Sequence, residues 1–179
     1  YIHFLTGRRP VSVCAKTTKL HFKGDRPAGL RCPDCPDYRT CPESSYVVKH
    51  ILKEDVQGDW CCFARDTGNE DGASVIFTTE SGMLISYNQN FVVKKSAGRR
   101  GARLIGTEGS AEFDFYTAEI RVDRYLSPQT VTHKFNFPAG MHFGGDEMLA
   151  LDFLRVLDGG EARSDLSAGL VSAASCLAA

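Results

Sequence analysis

The sequence predicts an α+β domain: one large, mostly antiparallel sheet, with helices packed on one face and the other face open for association. Three observations carry this reading. Between residues 72 and 137, apolar and polar residues alternate in short segments separated by turn signals, as consecutive antiparallel strands require. Beyond Gly145 the apolar spacing changes to i, i+4, i+7, i+8, the spacing of an amphipathic helix. Strands do not alternate with helices, so parallel βαβ units are not expected. At 179 residues the chain is long enough for one domain with a core, and we read residues 1–179 as a single unit.

The elements follow in order. "YIHFLTG" reads as the end of a helix, with Ile2 and Leu5 apolar and Gly7 as C-cap. A helix that begins in mid-pattern is expected of a chain cut from a longer one. Val11, Val13 and Ala15 alternate as a strand. The stretch "HFKGDRPAGLRCPDCPDYRTCPES" is a loop, because its prolines and glycines exclude helix and central strand. "SSYVVKHILKE" fits a short helix by spacing and a strand by its valines.

Two hairpins follow, one turning at Ser81 and Gly82 and one at Thr107, Glu108 and Gly109. Around the first, Met83, Ile85, Tyr87 and Phe91 share one face, and Leu84, Ser86, Asn88 and Asn90 the other. Glu119–Arg124 and residues 129–137 complete the strands. The open sheet face is expected to carry Tyr87, Phe113 and Phe115, and to meet another subunit. In "GDEMLALDFLRVLDGG", Leu149, Phe153, Val156 and Leu157 form a stripe, Asp146 is placed to cap the start, and Gly159 ends the helix. "SDLSAGLVSAASCLAA" repeats the pattern with Leu166, Leu170, Ala173, Ala174 and Leu177.

The bulk numbers narrow the function classes. A net charge of -1 gives no general pull toward nucleic acid or an anionic membrane. No apolar run approaches the roughly 20 residues of a membrane helix. No signal-peptide pattern is present. Seven cysteines, an odd count in a core-forming chain, do not resemble a secreted disulfide framework, so a reducing, cytoplasmic setting is expected.

Four groups of residues carry candidate chemistry. In the H-x-G-G-D segment, Gly144 and Gly145 let backbone approach a ligand, and His142 and Asp146 are candidates to hold a sugar hydroxyl. Asn88 and Asn90 share a strand face, and amides there suit polyol recognition because each offers a donor and an acceptor. Cys32, Cys35 and Cys41 stand in C-x2-C-x5-C spacing. With Cys61 or Cys62 they would give four thiolates for a structural zinc ion, and His50 is a second candidate for the fourth place. The same residues also read as reduced thiols in a proline-rich loop. Lys94, Lys95, Arg99, Arg100 and Arg103 form a basic run that would grip a phosphate or carboxylate, or simply a solvated loop. His133 is expected to pack beside Phe135.

"DGASVIFTTESGMLISYNQNF", "RLIGTEGSAEFDF" and "HFGGDEMLALDFLRVLDGG" together resemble the C-terminal domain of the Gfo/Idh/MocA family of NAD(P)-dependent oxidoreductases, which includes glucose-fructose oxidoreductases and inositol dehydrogenases. The C-P-x-C-P…C-P loop with "GDWCCF" downstream resembles a subset of that family. The resemblance implies a two-domain parent. A Rossmann domain, absent from this chain, would bind NAD or NADP and supply the lysine of a Glu-Lys-Pro motif. The family's His/Asp pair would precede a segment like "YIHFLTG". Neither motif occurs here. No G-x-G-x-x-G fingerprint follows a strand either, since Gly98, Gly101, Gly106 and Gly109 lie between strands.

The expected function is therefore substrate binding and oligomerisation within an oxidoreductase acting on a sugar, cyclitol or related hydroxy compound. No catalytic residue is expected in this chain. Its expected partners are the substrate, its own Rossmann domain and further copies of itself, with no nucleic acid and no membrane. The alternative is a non-catalytic binding or assembly module with a structural zinc–cysteine site.

Overall fold

A computed structural model describes residues 2–94, 97–137 and 141–179. It shows an α+β chain whose strands all pair antiparallel, in two ladders of three and four strands. Two compact units result: residues 1–93 with 171–179, and residues 94–170.

The first unit begins with α1 (Ile2–Thr6). It ends at Gly7, whose φ of +64° lets its N–H reach the His3 carbonyl at 2.7 Å, the expected left-handed cap. β1 (Pro10–Thr18), β2 (Gly72–Thr79) and β3 (Leu84–Asn90) form the first sheet in that order. The hairpin between β2 and β3 turns at the expected place, with the Gly82 N–H donating to the Thr79 carbonyl at 2.9 Å. Register puts Val13 opposite Phe77, Ala15 opposite Val75, and Phe77 opposite Ile85 on one face. The other face carries Cys14, Ile76 and Ser86. Val75 is buried on the first face while Ile76 is half exposed on the second, the one-sided burial of an antiparallel sheet. Residues Val171, Ala174 and Ala178 of α4 (Leu166–Ala178) border a cavity of about 290 Å3 with Val13 and Phe77, so the helix lies toward the apolar face. Tyr87 sits opposite Val75, on this face and not on the open one.

Residues 19–71 leave β1 and return to β2 with little regular structure. A 3-10 turn occupies Cys32–Asp34, and α2 (Ser45–His50) settles the ambiguous stretch as helix, because the Ser44 hydroxyl accepts the Val47 N–H at 3.1 Å as an N-cap. Asp71 closes the excursion. Its N–H donates to the Thr18 carbonyl at 3.0 Å, and its carbonyl accepts from the Phe91 N–H at 2.9 Å. Its buried carboxylate accepts from the N–H groups of His21 and Phe22, the latter at 2.9 Å. Farther out, the two limbs of the loop are stitched by backbone bonds from Cys32 N to Asp59 O (2.6 Å), Cys61 N to Leu30 O (3.0 Å) and Arg26 N to Phe63 O (3.0 Å). The Arg31 guanidinium lies 4.9 Å over the Trp60 ring at the same crossing.

The second unit holds β4 (Gly101–Ile105), β5 (Gly109–Asp114), β6 (Glu119–Arg124) and β7 (Thr130–Lys134), paired in sequence order. The G-T-E-G turn closes with a 2.9 Å bond from the Gly106 N–H to the Gly109 carbonyl. Gly109 is required by close approach, since a Cβ there would stand 2.4 Å from the Asp123 carbonyl oxygen. β7 stops at Lys134, short of the expected 137, and every residue in it is exposed, including His133. Among the described residues it lies at the sheet edge and pairs with β6 alone, which accounts for this exposure.

α3 (Gly145–Leu157) ends as expected, at Gly159 with φ +86°. Its start differs from expectation. The N-cap is Gly144 in a left-handed conformation, with no side-chain cap bond, and Asp146 lies inside the first turn. The stripe Leu149, Phe153, Val156 and Leu157 is exposed in this chain. Among the described residues no helix is long and apolar enough to cross a membrane.

The clasp makes a pH-dependent prediction. Burial alone would raise the Asp71 pKa, but the N–H groups of Phe22, His21 and Leu20 outweigh it and hold the carboxyl below its ordinary value of 3.8. A carboxyl that ionises more readily in the folded state stabilises the fold above its unfolded pKa, and that contribution disappears as pH falls through the folded value. Asp71→Asn should therefore lower the thermal midpoint by several degrees at neutral pH. It should also lose less stability than the unmodified chain as pH drops below about 4, which thermal melts across an acid series would show.

Candidate functional site

The H-x-G-G-D segment is built on three successive left-handed residues: His142 (φ 55°), Phe143 (φ 56°) and Gly144 (φ 80°). Only glycine takes this conformation freely; each of the other two costs about 1–2 kcal/mol. An aromatic cluster offsets that cost. The Phe143 ring stacks on Phe115 at 5.6 Å and 29°, and meets Phe137 at 5.6 Å and Tyr116 at 6.2 Å. Phe115 also meets Phe113 edge-on, and both rings are half-buried.

The strained turn brings His142 and Asp146 together. Nδ1 of His142 stands 2.9 Å and 3.1 Å from the two carboxylate oxygens of Asp146. A carboxylate only accepts, so Nδ1 donates, and in a neutral ring Nε2 then carries the lone pair. Both side chains are exposed. A neutral imidazole fixed this way accepts a hydrogen bond from a hydroxyl.

The asparagines lie in the other unit. The Asn88 side-chain oxygen accepts from the Ser74 hydroxyl at 2.8 Å on an exposed sheet face. Asn90 ends β3, its side-chain oxygen accepting from Val92 N (2.9 Å) and Val93 N (3.2 Å). In the basic run, Arg99 lies 3.9 Å from Asp114 and Arg100 lies 5.9 Å over Phe115; Lys95 falls outside the described residues.

The cysteine loop gathers five thiols. Cys32, Cys35, Cys41, Cys61 and Cys62 line one small cavity of about 20 Å3, together with Glu43. All five are free thiols, with Cys32 and Cys61 buried. Burial, then the charge of Glu43, pushes the Cys62 thiol up to about 12, and burial raises Cys61 as well. His50 does not line this space; its ring packs on Tyr46 at 4.9 Å. Among the described residues, no group of three or more His, Cys, Asp or Glu side chains stands arranged to hold a metal ion. The spacing of the first three cysteines foretold the grouping. The role of Glu43 carried no sequence signal.

No protein-family model matches the chain, and no curated protein matches it. Its fold is shared with solved oxidoreductases. It is similar to UDP-N-acetylglucosamine 3-dehydrogenase from Acidithiobacillus ferrooxidans in two crystal forms, with TM-scores of 0.58 and 0.59 at 16% and 17% identity over 98% of this chain. It is also similar to an oxidoreductase domain protein from Kribbella flavida, with a TM-score of 0.58 at 14% identity over 99% of this chain. The chain spans 40% or 41% of the length of the first protein and 46% of the second. At such identities the likeness shows the fold alone.

The geometry of the pair predicts a tautomer. Nitrogen-15 spectra of the labelled chain should show His142 as the Nδ1–H form, and Asp146→Ala should return it to the Nε2–H form usual for a free imidazole. An Nε2–H signal in the unmodified chain would remove the assigned role of the pair.

Proposed function

We propose that this chain is the C-terminal substrate-binding domain of an oxidoreductase that moves a hydride between NAD or NADP and a hydroxyl-bearing carbon of a sugar, cyclitol or related compound. The observation that carries the reading is a fold likeness covering nearly the whole chain but less than half of each of the oxidoreductases named above. The His142–Asp146 pair supports it by supplying a fixed acceptor for a substrate hydroxyl.

In this reading the chain does not itself hold the dinucleotide. The Rossmann recognition unit is a glycine-rich turn between a strand and a helix of a parallel βαβ unit, whereas both ladders among the described residues are antiparallel, which supports the reading. In this reading a nucleotide domain elsewhere in the protein holds the cofactor, which supplies the hydride acceptor. The present chain contributes position. His142 holds one hydroxyl, Gly144 and Gly145 let the backbone come close, and the aromatic cluster keeps the turn from relaxing. The exposed stripe Leu149, Phe153 and Leu157 fits contact with that domain or with a second copy. Oligomerisation through the open face of the first sheet and a cytoplasmic setting belong to the same proposal.

The alternative is a non-catalytic assembly module, favoured by the gathered thiols. The two readings part on turnover. In the protein carrying its nucleotide domain, a nicotinamide absorbance assay over sugars, nucleotide sugars and cyclitols should find one oxidised class. For that substrate, His142→Ala should lower kcat/KM about 5- to 30-fold, mostly through KM, the effect of losing about one or two kcal/mol of hydrogen bonding. Absence of turnover over the whole panel would favour the module.

A further inference from the structure

We infer that the cysteine loop is a structural zinc site in which Cys32, Cys35, Cys41 and Cys61 bind one zinc ion as a tetrahedral tetrathiolate. This goes beyond the substrate-binding reading and stands or falls independently of it.

The loop is tied by backbone bonds and the Asp71 carboxylate but has little buried apolar core of its own. Residues 19–71 make a long excursion from the sheet, and the buried apolar side chains in it are two cysteines and one alanine: Cys32, Cys61 and Ala64. A segment of this length with so small an apolar core needs another cross-link, and thiols are the chemistry gathered at its centre.

The backbone sets the four cysteines apart in the same way. Each of the four assigned cysteines heads a tight turn in which its carbonyl accepts the N–H three residues on: Cys35 N to Cys32 O, Tyr38 N to Cys35 O, Ser44 N to Cys41 O, and Ala64 N to Cys61 O, all between 3.0 and 3.1 Å. Cys62 heads no such turn among the described bonds. The two limbs are already tied by the bonds from Cys32 N to Asp59 O and Cys61 N to Leu30 O, so first and last ligand are fixed to one another through backbone. Prolines after Cys32, Cys35 and Cys41 stiffen three of the four positions.

The cavity of about 20 Å3 has room for a single ion. Among the described residues the thiols line the cavity without standing in coordinating positions, so binding has to draw the four sulfurs in around the ion. Binding replaces a thiol proton on each ligand with a zinc–sulfur bond, and the protons go to solvent. The resulting complex is a dianion. Arg26, close enough to Cys35 to interact with it electrostatically, offsets part of that charge.

The test uses the 179-residue chain, purified with a thiol reductant and without chelator, then equilibrated with zinc and desalted. Elemental analysis should find about one zinc per chain, and replacement by cobalt(II) should give the charge-transfer spectrum of a tetrathiolate. Chelator should lower the thermal midpoint. Cys32→Ser, Cys35→Ser, Cys41→Ser and Cys61→Ser should each lose stoichiometric zinc, while Cys62→Ala and Cys14→Ala keep it. Should a ligand variant fail to fold, the cobalt spectrum of the unmodified chain decides. A chain that takes up no zinc and leaves seven titratable thiols on denaturation overturns the proposal. So does a disulfide between pocket cysteines under these conditions, or zinc retained after Cys32→Ser or Cys41→Ser.

Discussion

The architecture of the first unit depends on one residue closing a long loop. Asp71 bonds through its N–H to the end of β1, through its carbonyl to the residue after β3, and through its carboxylate to the first residues of the excursion. Departure and return of residues 19–71 are thereby fixed at the same point. Closing a flexible loop costs entropy that grows only slowly with length, so a single well-satisfied buried carboxylate can define the base of a long excursion. The bridges at Arg26 and at Cys32–Asp59, and the thiol pocket beyond them, are arranged on limbs that Asp71 has already brought together. Among the described residues the buried carboxylate has no salt-bridge partner, which is tolerable because backbone N–H groups supply its hydrogen bonds.

The second unit uses a different device. Two non-glycine residues, His142 and Phe143, are held left-handed by the rings packed around Phe143. The strain has a consequence that an ordinary helix start would lack. An N-cap at Asp146 would turn its carboxylate onto the helix backbone, whereas the left-handed run moves the cap to Gly144 and leaves that carboxylate for His142. Strain at this place and an oriented imidazole are two aspects of the same geometry.

Local features of the fold were legible and tertiary ones were not. The turns at Ser81–Gly82 and at Gly106–Gly109 follow from glycine and short-range alternation, and α3 and α4 follow from helical spacing; each signal lies within a dozen residues. β7 was read three residues too long because alternation through Phe135 and Phe137 continues past the point where β6 stops pairing. Asp146 was read as a cap because Asp before an apolar run usually is one, and nothing local signals positive φ at a histidine and a phenylalanine. The clasp at Asp71 was invisible, since its partners lie some 50 residues away and are backbone groups. The thiol grouping was legible in the C-x2-C-x5-C spacing, while the joint presence of Cys61 and Cys62 and the exclusion of His50 needed the folded chain.

The central claim is that this chain orients a polyhydroxylated substrate and does not hold the dinucleotide. The most direct measurement is a two-dimensional NMR titration of the isotopically labelled chain with a nucleotide sugar, a cyclitol and NAD in turn. The account predicts shifts for one of the hydroxyl-rich ligands, centred on the amides of Gly144, Gly145 and Asp146 and on the His142 ring, with no response to NAD. Shifts on adding NAD, with none from any sugar or cyclitol, would contradict it.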